Sequence, residues 1–153
     1  MITINEIHPI LVHFPIVLWL TGEVIALIIL LRGGDLSARQ HWPMTSFYAL
    51  LGGTLFAALA AVFGDMAAEN AVAAGFQAGP IETHETFALI TLSLFALHTI
   101  LRFLAIWRHY PLTGRRAWLS ELLGFIGIFL LVYTAYLGGG LVYHLGVNTA
   151  AAL

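Results

Sequence analysis

The sequence predicts an all-α integral membrane protein, a four-helix bundle with an up-down-up-down course. Its hydropathy, its low charge and the length of its apolar segments all support this prediction. Of the 153 residues, 60% are hydrophobic and only 9% are charged, and the mean hydropathy is +0.92. A soluble domain carries about 25% charged residues. So few charges cannot cover a water-facing surface, whereas they suit a surface that faces lipid.

Four apolar segments are long enough to cross a bilayer, which takes about 20 mostly apolar residues in a helix. The predicted helices cover about 9–31, 45–65, 84–108 and 120–143, within a single transmembrane domain over residues 1–153. None shows the strict alternation of a barrel strand. Glu23 is the only charge in the first span, and Glu121 falls in the first turn of the fourth. Because the loops are short, neighbouring helices are expected to pack antiparallel.

The distribution of positive charge predicts the orientation in the membrane. All six fixed positive charges are arginines, and they lie between spans one and two or around the loop between spans three and four. The loop between spans two and three is acidic instead. The positive-inside rule places both arginine loops in the cytoplasm and both chain termini on the other side. Arg102, near the end of span three, is expected to snorkel to the cytoplasmic interface.

Seven histidines are present, and five of them fall in or beside the spans. The two in the cytoplasmic loops, His41 and His109, are predicted to be solvated. Four others lie near the outer surface, on three helices, and one lies deeper in span three. In order, these are His8, His13, His84 and His144 at the surface, and His98 within span three. A single histidine can bond a backbone group or snorkel, but four at one level favour a shared site facing the bundle interior.

The histidine spacing favours b-type haem. His84 and His98 are 14 residues apart, so they differ by about 40° around one helix and about 21 Å along it. This resembles the spacing on the haem-binding helices of cytochrome b subunits. One haem is favoured over two, because spans one, two and four place no histidine opposite His98. Glu23, at about that depth, is a poor axial ligand and is expected to accept a hydrogen bond from His98.

The preferred haem ligands are His13 and His84, since both lie one turn inside the outer boundary. His8 and His144 would orient these ligands or bind a second haem. The chain has no cysteine, which excludes covalently attached c-type haem and thiolate metal ligands.

Two alternatives stay open. The same histidines suit a haem-free zinc or copper site, because imidazole binds both metals. The small size and thin loops also suit a structural subunit of a larger membrane complex. The sequence contains no HExxH motif and no triad-like Ser/His/Asp grouping, so an electron-transfer subunit is favoured over a stand-alone enzyme.

The two ends of the chain carry a family resemblance. The opening HPILVHFP at residues 8–15 and the closing GGLVYHLGV at 139–147 are similar to the ends of a bacterial membrane family, domain of unknown function 2231. In that family the closing histidine directly precedes a glycine, whereas here Leu145 stands between His144 and Gly146. The resemblance implies a four-helix bacterial membrane domain. With the orientation predicted from the arginines, this domain would lie in the inner membrane with both termini in the periplasm. Some relatives are fused to c-type haem domains, which implies redox work at the outer surface.

The resulting hypothesis is an electron-transfer protein that holds b-type haem near the periplasmic face. It would link a membrane quinone with a periplasmic cytochrome c, and its other partners would be the lipid bilayer and further membrane redox proteins. Nucleic acid is not an expected partner, because the chain has no long basic run.

Overall fold

A computed structural model describes residues 4–149, with side chains described for residues 7–149. The described chain is all-helical and contains α1 (Ile4–Leu11), α2 (His13–Leu31), α3 (His41–Ala73), α4 (Ala78–Trp107) and α5 (Gly114–Tyr143). Four helices are long and apolar enough to cross a membrane, with α1 and α2 contributing to a single span, Ile7–Leu31. The predicted four-helix membrane bundle is confirmed.

The helices pack in sequence order. Helix α2 packs on α3, α3 on α4 and α4 on α5, and α5 returns to α2 and closes the bundle, while α1 lies against α3. Helices α3, α4 and α5 have 33, 30 and 30 residues. A helix of 30 residues is about 45 Å long, longer than the roughly 30 Å hydrocarbon layer. The helix ends therefore project beyond the apolar segments from which the spans were predicted.

The first span is interrupted at Val12. Pro15 has no backbone N–H, so the Leu11 carbonyl loses the partner that a continuous helix would provide four residues later. The Val12 N–H still bonds the His8 carbonyl at 3.1 Å, but the helix is assigned in two pieces on either side of Val12. The break lies between His8, which is in α1, and His13, which begins α2.

The bundle is apolar outside and partly polar inside. Large side chains such as Leu55, Phe129 and Val132 are exposed on its surface, as expected for contact with lipid. In the middle of the bundle, the Trp19 and Phe95 rings stack with centroids 3.9 Å apart. The interior also contains charged and hydroxyl side chains, and polar side chains within membrane bundles commonly mark function.

The two arginine-bearing loops meet at one end of the bundle, here named the arginine end. The Leu36 N–H donates to the Leu112 carbonyl at 3.0 Å, and the Leu112 N–H donates to Asp35 Oδ1 at 2.9 Å. The Ser37 hydroxyl donates to the Tyr110 carbonyl at 2.8 Å. These bonds form a loop junction. The opposite end, named the histidine end, contains α1, the end of α3, the start of α4 and the end of α5.

Candidate cofactor and metal sites

Three charged or titratable side chains from three helices meet inside the bundle. Glu23 of α2, His98 of α4 and Glu121 of α5 are 5%, 0% and 0% exposed. The His98 Nε2–H donates to Glu121 Oε1 at 3.2 Å, and His98 Nδ1 lies 3.4 Å from Glu23 Oε1. Each residue offers one ligand atom, and these atoms lie within 4.8 Å of one another. This group, the inner triad, can hold a metal ion.

A glycine gives the inner triad its space. Gly124 lies three residues after Glu121, so the two positions share one face of α5. A Cβ at Gly124 would overlap the carboxylate of Glu23. The absence of a side chain at this position therefore lets Glu23 reach from α2 toward α5.

Arg102 borders the inner triad and is itself only 1% exposed. It follows His98 by four residues, which places both on the same face of α4. Its Nη1 lies 3.8 Å from Glu121 Oε1 and donates to Ser46 Oγ at 2.8 Å, while Nη2 donates to the Leu36 carbonyl at 3.0 Å. The predicted snorkelling of Arg102 is wrong, because the guanidinium is buried and donates to these interior acceptors.

Two histidines form a second group at the histidine end. The rings of His8 and His84 have centroids 6.4 Å apart and planes at 86°. The Nδ1 of His8 is 2.8 Å from the Ala60 carbonyl, and the Nδ1 of His84 is 3.2 Å from the Thr134 carbonyl. A carbonyl only accepts, so each Nδ1 carries the donated proton. In a neutral imidazole this leaves the Nε2 lone pair available to a ligand. The two residues are named the histidine pair.

A cavity of about 540 Å³ adjoins both rings of the histidine pair. Its volume lies within the range of about 300–1,000 Å³ typical of ligand sites. Its lining is mostly apolar and comes from α1, α3, α4, α5 and the segment after α5. Gly64 and Gly138 lie beneath the two rings, where a Cβ would come within 2.9 Å of the His8 ring and 3.0 Å of the His84 ring. The glycines thus allow the imidazoles to lie against the backbone beside the cavity.

The model of one protein family, described as "Predicted membrane protein (DUF2231)", matches residues 5–151. The chain belongs to DUF2231. Neither a curated protein nor a solved structure matches it. The match covers nearly the whole chain, so the inner triad, the histidine pair and all four spans of this DUF2231 protein lie within the family region.

The structure distributes the five predicted site histidines of this DUF2231 chain over different environments. His8 and His84 come together at the cavity, and His98 lies in the inner triad. His13 is exposed, with its Nδ1 2.6 Å from the Pro9 carbonyl. His144 is exposed at the end of α5. Neither His13 nor His144 lines the described cavity.

Glu121 and Arg102 are not among the site residues that the sequence predicts for this DUF2231 chain. The sequence predicts Glu121 in the first turn of a span beginning at Ser120, but α5 begins at Gly114 and carries Glu121 about two turns inside. The sequence signal for a buried role was a charged side chain within an apolar segment, Arg102 in the third span and Glu121 in the fourth. Charged side chains in such segments usually pair inside the bundle. The hydrogen bond predicted from His98 to Glu23 is not formed, because His98 Nδ1 lies 3.4 Å from Glu23 Oε1 but has no hydrogen-bond partner.

Proposed function

We propose that this DUF2231 protein binds one b-type haem between His8 and His84 and transfers electrons near the periplasmic face of the inner membrane. The observation that carries the proposal is the histidine pair, whose rings are 6.4 Å apart beside a mostly apolar cavity of about 540 Å³. Haem iron takes its axial ligands from side chains such as histidine. The chain presents two imidazoles for that role.

His8 and His84 would hold the haem iron through their Nε2 atoms, because each Nδ1 is bonded to a backbone carbonyl. The backbone carbonyls that bind each Nδ1 would fix the ring orientations and make the ligands more basic.

The cavity suits a large planar molecule that is mostly apolar. Asn148 and Thr149 line it together with the apolar side chains, and the carboxylate groups of a haem need polar neighbours of this kind. The haem would supply the redox chemistry, while the protein would supply ligation and an environment with few water molecules. A membrane quinone and a periplasmic cytochrome c are the electron partners that we propose.

A haem-free zinc or copper site is the second candidate, because two carboxylates line the same cavity. Asp65 and Glu85 lie there together with His8 and His84. Zinc accepts mixed imidazole and carboxylate ligands, with three or four from the protein. Haem requires only two protein ligands, which is the number of imidazoles that the cavity brings together, and this favours haem.

The absorbance of wild-type protein purified from haem-replete cells tests the proposal. We expect a Soret band, sharp α and β bands after reduction, and one haem per chain. A colourless protein whose bound zinc or copper is lost in the His8→Ala variant would overturn the haem proposal in favour of the second candidate. A colourless protein that takes up neither haem nor these metals at the histidine end would leave a structural subunit.

We also propose that the arginine end faces the cytoplasm and the histidine end the periplasm, as the positive-inside rule predicts from the arginines. The chain has no cysteine, so a single introduced cysteine reports its own location. Gln77 and Thr113 are exposed residues that immediately precede α4 and α5 at opposite ends of the bundle. Neither substitution removes a charge.

In spheroplasts, we expect a membrane-impermeant maleimide to label the Gln77→Cys variant. The Thr113→Cys variant should be labelled only after the membrane is permeabilised. Labelling in the reverse order would show that the histidine end faces the cytoplasm, and it would rule out a periplasmic electron partner.

A further inference from the structure

We infer that the inner triad of Glu23, His98 and Glu121 is a binding site for one divalent transition-metal ion, separate from the proposed haem site. The triad belongs to α2, α4 and α5, whereas the histidine pair belongs to α1 and α4. The two sites share no residue. The inference therefore does not depend on whether the histidine pair binds haem.

The first support comes from atoms that lack partners. Glu23 Oε2, His98 Nδ1 and Glu121 Oε2 are buried and have no hydrogen-bond partner. Each member of the triad thus contributes one unsatisfied atom. Leaving a buried polar atom unsatisfied costs about 1–3 kcal/mol, and more when the group is charged. A metal ion bound among these side chains would satisfy the three residues together.

The second support is the charge of the triad. Two carboxylates, Glu23 and Glu121, lie close together in the interior, where an uncompensated charge is expensive. A divalent ion cancels both charges while His98 stays neutral. Arg102 lies 3.8 Å from Glu121, but it donates its hydrogen bonds to Ser46 Oγ and to the carbonyls of Leu36 and Pro43. The arginine therefore leaves the unpartnered carboxylate oxygens open to a cation.

The third support is the state of the His98 ring. Its Nε2 is 3.2 Å from Glu121 Oε1, and donation of the Nε2–H to that carboxylate leaves the Nδ1 lone pair for a metal. This pattern, in which a ligating histidine donates its other N–H to a carboxylate, is common in metal sites. His98 Nδ1 lies on the side of Glu23, 3.4 Å from Oε1.

The spacing and the ligand types indicate the class of metal. Metal–nitrogen and metal–oxygen bonds of about 2.0–2.2 Å place neighbouring ligands of a tetrahedral ion about 3.3–3.6 Å apart. The distance of 3.4 Å between His98 Nδ1 and Glu23 Oε1 already matches this spacing. Two carboxylates and one imidazole suit zinc, manganese or ferrous iron. With three protein ligands, the ion would keep one position for water.

Zinc and manganese binding to purified protein tests the inference. After a chelator wash, wild-type protein is equilibrated with either ion, and the bound metal is counted by elemental analysis. We expect a site with a capacity of one ion per chain that is filled in the wild type. The Glu121→Gln and His98→Gln variants should each lose affinity by more than about tenfold, a loss at least as large as that caused by removing a group that only orients a ligand. Bound metal should also raise the thermal midpoint of the wild type.

Two controls separate this site from others. Glu69→Gln changes an exposed carboxylate on α3 and should keep wild-type metal binding. His8→Ala should also keep the ion, even where haem is lost, so failure at one site does not imply failure at the other.

The inference is overturned if the wild type binds neither zinc nor manganese in a stoichiometric amount. In that case the carboxylates are neutralised by protons and Arg102 alone. Metal binding that persists unchanged in monodisperse Glu121→Gln and His98→Gln protein would also overturn it. The absence of metal from the wild type overturns the inference even if both variants fail to fold, and loss of the ion in His8→Ala would assign it to the histidine pair instead.

Discussion

Replacing His84 with alanine is expected to lower haem occupancy by more than about tenfold, because iron loses one of its two axial ligands and alanine cannot replace it. His8→Ala should cause a similar loss, since the two rings approach each other at the cavity with centroids 6.4 Å apart. The measurement is the Soret absorbance per mole of protein, for variants expressed with the same haem supply as the wild type.

Two further histidines make this series discriminating. His41 is exposed at the start of α3, at the arginine end, so His41→Ala should keep the wild-type spectrum. The pairing predicted from sequence, His13 with His84, requires that the His13→Ala variant lose haem. A site between His8 and His84 requires that the same variant keep its haem. Loss of haem in His13→Ala, together with full haem in His8→Ala, would support the His13–His84 pairing. Full haem in both His8→Ala and His84→Ala would reject the histidine pair.

Replacing Arg102 with methionine is expected to destabilise the bundle by about 3–5 kcal/mol, the cost of removing one partner from a buried charged group. Arg102 is 1% exposed and lies 3.8 Å from Glu121. It also satisfies Ser46 and the Leu36 carbonyl. Methionine fills much of the volume but provides neither charge nor donors, so Ser46 and the Leu36 carbonyl lose their donors and Glu121 loses a nearby positive charge.

Unfolding of the Arg102→Met variant in detergent, followed by circular dichroism, measures this effect. The matched control is Arg115→Met, which removes an exposed arginine at the start of α5 and should change the free energy of unfolding by less than about 0.5 kcal/mol. A similarly small change for Arg102→Met would mean that the buried cluster does not need the guanidinium.

The spans were predictable because an apolar segment of bilayer length is visible in the sequence without any tertiary information. Their ends were not, because the helices continue into polar sequence. Helix α3, for example, runs on to Ala73, past Asp65 and Glu69. Residues outside an apolar segment can still continue a helix, and hydropathy does not measure this tendency to form a helix. The same error placed Glu121 at the interface instead of inside the bundle.

The sequence predicts the membrane level of the candidate cofactor residues but not which of them pair. His84 and His8 were both expected near the outer surface, and the structure brings their rings together. The choice between His8 and His13 depends on how the first span breaks around Val12 and Pro15, and on the rotation of α1 against α3. The spacing of residues along one helix does not contain these tertiary relations. Predicting the inner triad requires the relative rotation of three helices, which the sequence spacing does not contain either.

Because of the loop junction, the two ends of the bundle differ in how their helices are connected: hydrogen bonds between loops join the helices at the arginine end. Bonds among Asp35, Leu36, Ser37 and Leu112 join one pair of turns, while the far ends of α3, α4 and α5 line the cavity. On the proposal that haem binds there, we expect the cofactor to enter at the histidine end, because none of these loop bonds has to break for its entry.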